Sequence, residues 1–122
     1  MSKYNESAAA FVSVLFHSAT VTHFMHLQTK SFAQHMALGE YYDAIVELAD
    51  KWAEAYQGAY DIITGYPKDF HLATDPVKYL TQIKEFVDDI RKDLPQDSEL
   101  NNLVDGIADQ IDSTLYKLRF LK

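Results

Sequence analysis

The 122-residue chain is 48% hydrophobic, which is enough apolar material for one domain with its own core. Its formal net charge of −7 argues against DNA binding, because a protein needs lysine and arginine to displace counterions from phosphates. The absence of cysteine excludes disulfides, thiolate metal sites and cysteine nucleophiles, and it fits a reducing compartment. We therefore expect a single cytoplasmic domain over residues 1–122.

The first predicted helix begins at Asn5 or Ser7, either of which could cap it, and ends near Gln28. Steps of four, three, four and three place five residues on one face of this helix: Val12, Phe16, Ala19, His23 and His26. Because its short apolar run continues that periodicity, we interpret the run as the start of a helix. We expect no segment long enough to span a membrane.

The second predicted helix starts after Ser31, which has capping-box spacing to Gln34, and stops at Gly58. Its apolar stripe consists of Leu38, Tyr42, Ile45, Ala49, Trp52 and Tyr56. Beside that stripe runs an acidic row with the same helical rhythm: Glu40, Asp43, Glu47, Asp50 and Glu54. By default such a row is a solvated helix face.

A connection containing two glycines and two prolines follows, over residues 58–76, and Asp75 before Pro76 predicts the start of a third helix. This helix should end near Leu94, and a fourth should run from Ser98 to the C-terminus. No alternation of polar and apolar residues predicts a strand. The expected fold is all-α, a ferritin-like four-helix bundle whose long connection makes helices 2 and 3 parallel.

Four residues form a candidate metal site, His23, His35, Asp50 and Glu54, spaced H-x11-H-x14-D-x3-E. Imidazole nitrogen with two carboxylates is a ligand set that suits iron. His35 and Asp50 lie about 22 Å apart on one helix at 1.5 Å per residue, so they cannot hold one ion within one chain. A two-fold dimer with antiparallel second helices would join them, so we expect at least a homodimer.

This pattern resembles the Dps family, ferritin-like mini-ferritins that build a ferroxidase site at a dimer interface. The four residues match all three intervals of the family's motif, and "SFAQH" and "LADKWAEAYQG" resemble the family's sequence around that motif. The resemblance covers roughly Phe11 to Gly58. It implies iron as the cofactor, the two histidines from one subunit and the two carboxylates from its partner as ligands, and oxidation of Fe(II) by peroxide or dioxygen as the activity.

The chain also departs from the Dps pattern. Phe24 stands where the family commonly has tryptophan, no lysine-rich tail for DNA is present, and the chain is short after Gly58. The resemblance therefore implies a dimer more strongly than a twelve-subunit cage. His26 would be a surface residue, a residue that supports the ligands without binding the metal, or an additional ligand, and His17 and His71 receive no role.

A second class of function stays open, a non-catalytic helical dimer that acts as a protein-interaction module. The connection carries apolar and aromatic side chains that would either cap the bundle or form a docking surface: Tyr60, Ile62, Ile63, Tyr66 and Phe70. Hydrolase chemistry has no support, since the sequence contains no nucleophile elbow, phosphate loop or HExxH motif.

Overall fold

The computed structural model describes residues 3–122, which form four α-helices and contain no strand. A short 3₁₀ helix follows the third α-helix. The elements are α1 Asn5–Gln28, α2 Phe32–Ala59, α3 Pro76–Ile90, the 3₁₀ helix Arg91–Asp93 and α4 Ser98–Phe120. The predicted all-α class is confirmed. The predicted domain of residues 1–122 includes residues 1 and 2, which lie outside the described residues.

Two of the predicted helix caps are present. The Ser31 side chain accepts a hydrogen bond from the Gln34 amide at 3.2 Å and begins α2. Asp75 accepts from the Lys78 amide at 3.2 Å and begins α3, with Pro76 at its first position. Each cap satisfies one of the amide groups that a helix N-terminus leaves unpaired, which explains why these helices start where they do.

α3 and α4 are antiparallel neighbours joined by ion pairs. Lys84 of α3 lies 3.1 Å from Asp112, and Arg91, at the start of the 3₁₀ helix that follows α3, lies 2.7 Å from Asp105, so the chain after Lys84 meets earlier positions of α4. These pairs are partly exposed, so each contributes little to stability. They do establish the relative direction of the two helices.

α2 is also antiparallel to α4. Glu40, near the start of α2, is paired with Lys117 near the end of α4. Further along α2, Leu48 approaches Gly106, where an added Cβ would lie 3.9 Å from its side chain. Since α2 and α3 both oppose α4, they run parallel to each other, as the long connection predicted.

The helices enclose one hydrophobic core, and the predicted face of α1 is only partly buried in it. Val12 and Ala19 of that face are buried, whereas Phe16 is 37% exposed and His23 is also exposed. α1 is apolar on most of its sides, so periodicity alone does not identify the buried one. The predicted stripe of α2 is buried except for Tyr42, which is partly buried.

The long connection is tied to the bundle near its beginning. Asn5 does not cap α1; its side chain instead donates to the Thr64 carbonyl at 2.9 Å and accepts from the Thr64 amide at 3.0 Å. Ile63 is buried in the core, and the Tyr60 hydroxyl donates to Asp97 at 2.6 Å. Gly65 follows with φ of 71°, a left-handed conformation that favours glycine.

α1 corrects one expectation from the sequence. An 18-residue window within its 24 residues has a mean hydropathy of 1.4, so by length and composition this helix could cross a membrane. However, 61% of that window is buried inside the packed helices, as in the central helix of a soluble protein. A soluble helical domain is compatible with this packing.

Candidate functional site

Two histidines pair where α1 turns into α2. His26 and His35 stack with ring centroids 3.6 Å apart and planes at 18°. Each ring also bonds to the main chain of the other residue: His26 Nδ1 lies 2.6 Å from the His35 carbonyl oxygen, and His35 Nδ1 lies 2.8 Å from the His26 carbonyl oxygen. The pair therefore joins the last turn of α1 to the first turn of α2.

The hydrogen bonds of this pair fix the protonation pattern of both rings. A carbonyl oxygen can only accept, so each Nδ1 must carry a hydrogen and donate. In the neutral form, Nε2 is then the ring nitrogen with a free lone pair. The bond from His35 also satisfies the His26 carbonyl, which lies in the last turn of α1 where carbonyls have no helical partner.

Gly39 makes room for this arrangement. A Cβ added at Gly39 would lie 3.1 Å from His26 Cε1 and 3.3 Å from its Nδ1. The His26 ring cannot easily move away, because one face lies on His35 and Nδ1 is held by a carbonyl. A glycine inside α2 thus permits the close approach of the two helices.

His23 lies beside the pair but has a different partner. Its ring stacks on Tyr42 at 4.0 Å and 11°, and it lies 6.0 Å from the ring of His26. His23 and Tyr42 also line a shallow groove of about 320 Å³ between α1 and α2, together with Asp43 and Val46. The predicted ligand His23 is therefore exposed along the outer side of the α1–α2 pair.

The two predicted carboxylate ligands lie at the other end of α2. Asp50 and Glu54 are both exposed and are neighbours at positions i and i+4. A hydrogen bond with Asp50, followed by repulsion between the two charges, raises the pKa of Glu54 above its ordinary value. A nearby cation would stabilise this carboxyl pair, because it would offset the repulsion between the two charges.

The structure does not bring the four predicted ligands together within one chain. Among residues 3–122, no group of three or more histidine and acidic side chains is arranged to hold a metal ion. His26 and His35 cannot chelate one ion in this arrangement, because the lone pairs of nearly parallel stacked rings do not converge. The site shared between two copies stays a prediction.

The outer side of the α1–α2 pair exposes several large apolar side chains. Leu27 is 68% exposed and Phe32 is 76% exposed, and both lie near the turn between the helices. Met36 and Val46 continue the apolar surface along α2, and Phe16 continues it along α1. We call these five residues the outer face.

The sequence left three roles open for His26: a surface residue, a residue that supports the ligands, or an additional ligand. The structure makes it the hydrogen-bonding partner of His35. One signal was available: Gly39 interrupts a helical stretch four residues after His35, and glycine inside a helix often marks a close approach.

The chain belongs to DUF5856, a family of unknown function whose model matches residues 26–118. It is also similar to an uncharacterized 14.6 kDa protein in the mobD-ri intergenic region of Enterobacteria phage T4. The two sequences are 25% identical over 116 residues, which cover 93% of this chain and 86% of the phage protein. No solved structure matches this chain.

These findings overturn the assignment to the Dps family, which was wrong. The matching family is of unknown function and the phage relative is uncharacterized, so neither links this chain to Dps. The physical reason lies in the acidic row of α2, which offers a carboxylate every three or four residues over residues 40–54. Once two histidines lie near the helix turn, carboxylates at the expected intervals follow from ordinary helical patterning.

Proposed function

We propose that this protein is a non-catalytic interaction module of the cytoplasm that pairs with a second copy of itself through the outer face. The single observation that carries the proposal is the exposure of five large apolar side chains on one side of α1 and α2. Isolated exposed apolar residues are ordinary, but several of them on one side of a helix pair are typical of a protein interface.

We also propose that the architecture is a ferritin-like four-helix bundle. The parallel course of α2 and α3, with the long connection between them, supports this arrangement. Such a bundle leaves the outer side of α1 and α2 free, because α3 and α4 pack on their other sides.

The spacing of the exposed residues suits packing against another helix pair. Steps of four, three and four along α1 give one row: Phe16, Thr20, His23 and Leu27. On α2 the same steps give a second row: Phe32, Met36, Gly39, Asp43, Val46 and Asp50. This three-and-four spacing is the seam along which helices pack side by side.

Charge complementarity favours a second copy as the occupant. The turn end of the outer face carries Lys30, whereas the opposite end carries Asp50 and Glu54. A two-fold pairing with antiparallel α2 helices would bring Lys30 of each copy to the acidic end of the other. The pairing would also place a positive charge near Asp50 and Glu54, where it would offset the repulsion between the two carboxylates.

Sedimentation velocity of purified protein tests the proposal. We expect the wild-type chain to sediment at twice its 14.0 kDa mass. Phe32→Glu/Met36→Glu should weaken dimerisation by at least about 100-fold, because pairing would bury carboxylates without partners. The matched control is Tyr116→Glu/Phe120→Glu, which changes exposed aromatic residues on α4 and should leave the dimer intact. A monomeric wild type at the highest soluble concentration would overturn the proposal.

Iron binding by His23, His35, Asp50 and Glu54 is an alternative proposal that needs the same pairing of copies. Two Fe(II) ions would each give one electron to peroxide, which takes up two protons to form water. Anaerobic loading of Fe(II), followed by peroxide, should then produce ferric absorbance faster in the wild type than in His23→Ala/His35→Ala. A dimer that oxidises Fe(II) no faster than buffer does would reject the ferroxidase and leave the interaction module.

A further inference from the structure

A pocket of about 310 Å³ lies between α1, the long connection and α3. It is separate from the outer face, since none of the five outer-face residues lines it. Its walls are mostly apolar and include Val14 of α1 and Ile83 of α3. A pocket of this size with mostly apolar walls is at the small end of the range of ligand sites.

The pocket forms because α1 carries small side chains where it lines this space. Ala10, Ser13, Val14 and His17 fall on one helical face, and the first two have small side chains. The connection passes over this face at a distance, and the Phe70 ring meets the edge of the His17 ring at 5.2 Å and 86°. The pocket is the space left between the small residues of α1 and the contact of Phe70 with His17.

Polar groups from three elements line the same space. These are Ser13 and His17 of α1, Asp69 and His71 of the connection, and Tyr79 of α3. Burial raises the pKa of Tyr79 to about 12, so its hydroxyl stays uncharged at neutral pH and can donate or accept a hydrogen bond. Asp69 is the one carboxylate of the lining, and no lysine or arginine lines the pocket.

We propose that this pocket binds a small organic cation with a flat apolar body, such as an aryl amidine or an aromatic amine. Val14 and Ile83 contact the flat body, the Tyr79 hydroxyl bonds to its polar edge, and Asp69 pairs with the charged nitrogen. The formal net charge of −7 attracts cations to the protein and disfavours anions of the same shape.

NMR titration of the full chain with benzamidine tests the proposal. We expect binding with a Kd on the order of 1 mM, which is typical for so small a probe, and shifts centred on Val14, His17 and Tyr79. Benzamide has the same shape without the charge and should bind about 10-fold more weakly. Benzoate should not bind.

Two variants make the test specific. Asp69→Asn changes an exposed residue and should weaken benzamidine binding about 10-fold while leaving benzamide binding unchanged. Val14→Phe fills the pocket and should abolish binding of both probes, with helical circular dichroism confirming that the variant is folded. Equal binding of benzamidine and benzoate, or unchanged benzamidine binding in Asp69→Asn, would overturn the proposal. Neither variant touches the outer face, so this proposal and the dimer can fail separately.

Discussion

Both ends of α1 are held by hydrogen bonds between side chains and the main chain, but the bonded residues are separated by very different distances in sequence. At the C-terminal end, His26 and His35 exchange hydrogen bonds between side chain and main chain across nine residues. At the N-terminal end, Asn5 exchanges two such bonds with the main chain of Thr64, across 59 residues. The near pair closes a short turn, whereas the far pair depends on the course of the long connection. Closing the longer loop costs more chain entropy, although the increase with length is slow.

The two ends of α1 differ in what surrounds these hydrogen bonds. The His26–His35 pair is reinforced by ring stacking and by the space that Gly39 leaves. The Asn5–Thr64 bonds are exposed, and the neighbouring stabilisation comes from Tyr60, whose ring meets Tyr4 edge-on and whose hydroxyl reaches Asp97. We therefore expect substitutions at the histidine end to have the larger effect.

His35→Ala should be the most damaging of these substitutions. It removes both the stacked ring and the donor to the His26 carbonyl, and we expect a loss of about 2 kcal/mol in the free energy of unfolding. Urea denaturation followed by circular dichroism measures it. His23→Ala is the matched control, because it removes a stacked ring without a resolved hydrogen bond and should cost about 0.5 kcal/mol. Equal losses in the two variants would show that the hydrogen bond contributes nothing.

Alanine at the two glycines of α2 should change stability in opposite directions. Gly58→Ala meets no atom within 4 Å and should stabilise the protein by about 0.5 kcal/mol, because it reduces the entropy of the unfolded chain. Gly39→Ala would press on a His26 ring that cannot yield, and it should destabilise by about 1 kcal/mol. Thermal melts of both variants measure the difference. Stabilisation by Gly39→Ala would mean that the histidine pair moves freely.

The smallest expected effect is a pH dependence at the other end of the helix pair. The hydrogen bond to Asp97 raises the pKa of Tyr60 to about 12 from its ordinary value of 10.0. Because the protonated phenol is favoured in the folded protein, this stabilisation is complete below pH 10.0 and is lost as the pH rises towards 12. In that window, Tyr60→Phe should lose less stability than the wild type, as measured by urea denaturation at a series of pH values. Parallel stability curves for the two proteins would contradict the prediction.

The positions of the helices could be predicted because their signals are local. Ser31 and Asp75 cap the helices that follow them, and Pro76 fits only the beginning of a helix. The length of the connection predicted parallel α2 and α3. The candidate site was less predictable, since four residues at helical intervals supported a family assignment that the comparisons contradict.

The sequence by itself determined that this protein is all-α, with four helices of which α2 and α3 begin at recognisable caps, because capping and periodicity act over a few neighbouring residues. Only the tertiary structure decided which side of the apolar helix α1 is exposed, because that depends on where α2, α3 and the connection pack. It also decided that His26 faces His35 and that His17, Asp69 and Tyr79 share a pocket. These groupings arise from contacts between segments distant in the chain, whose relative placement no local spacing specifies.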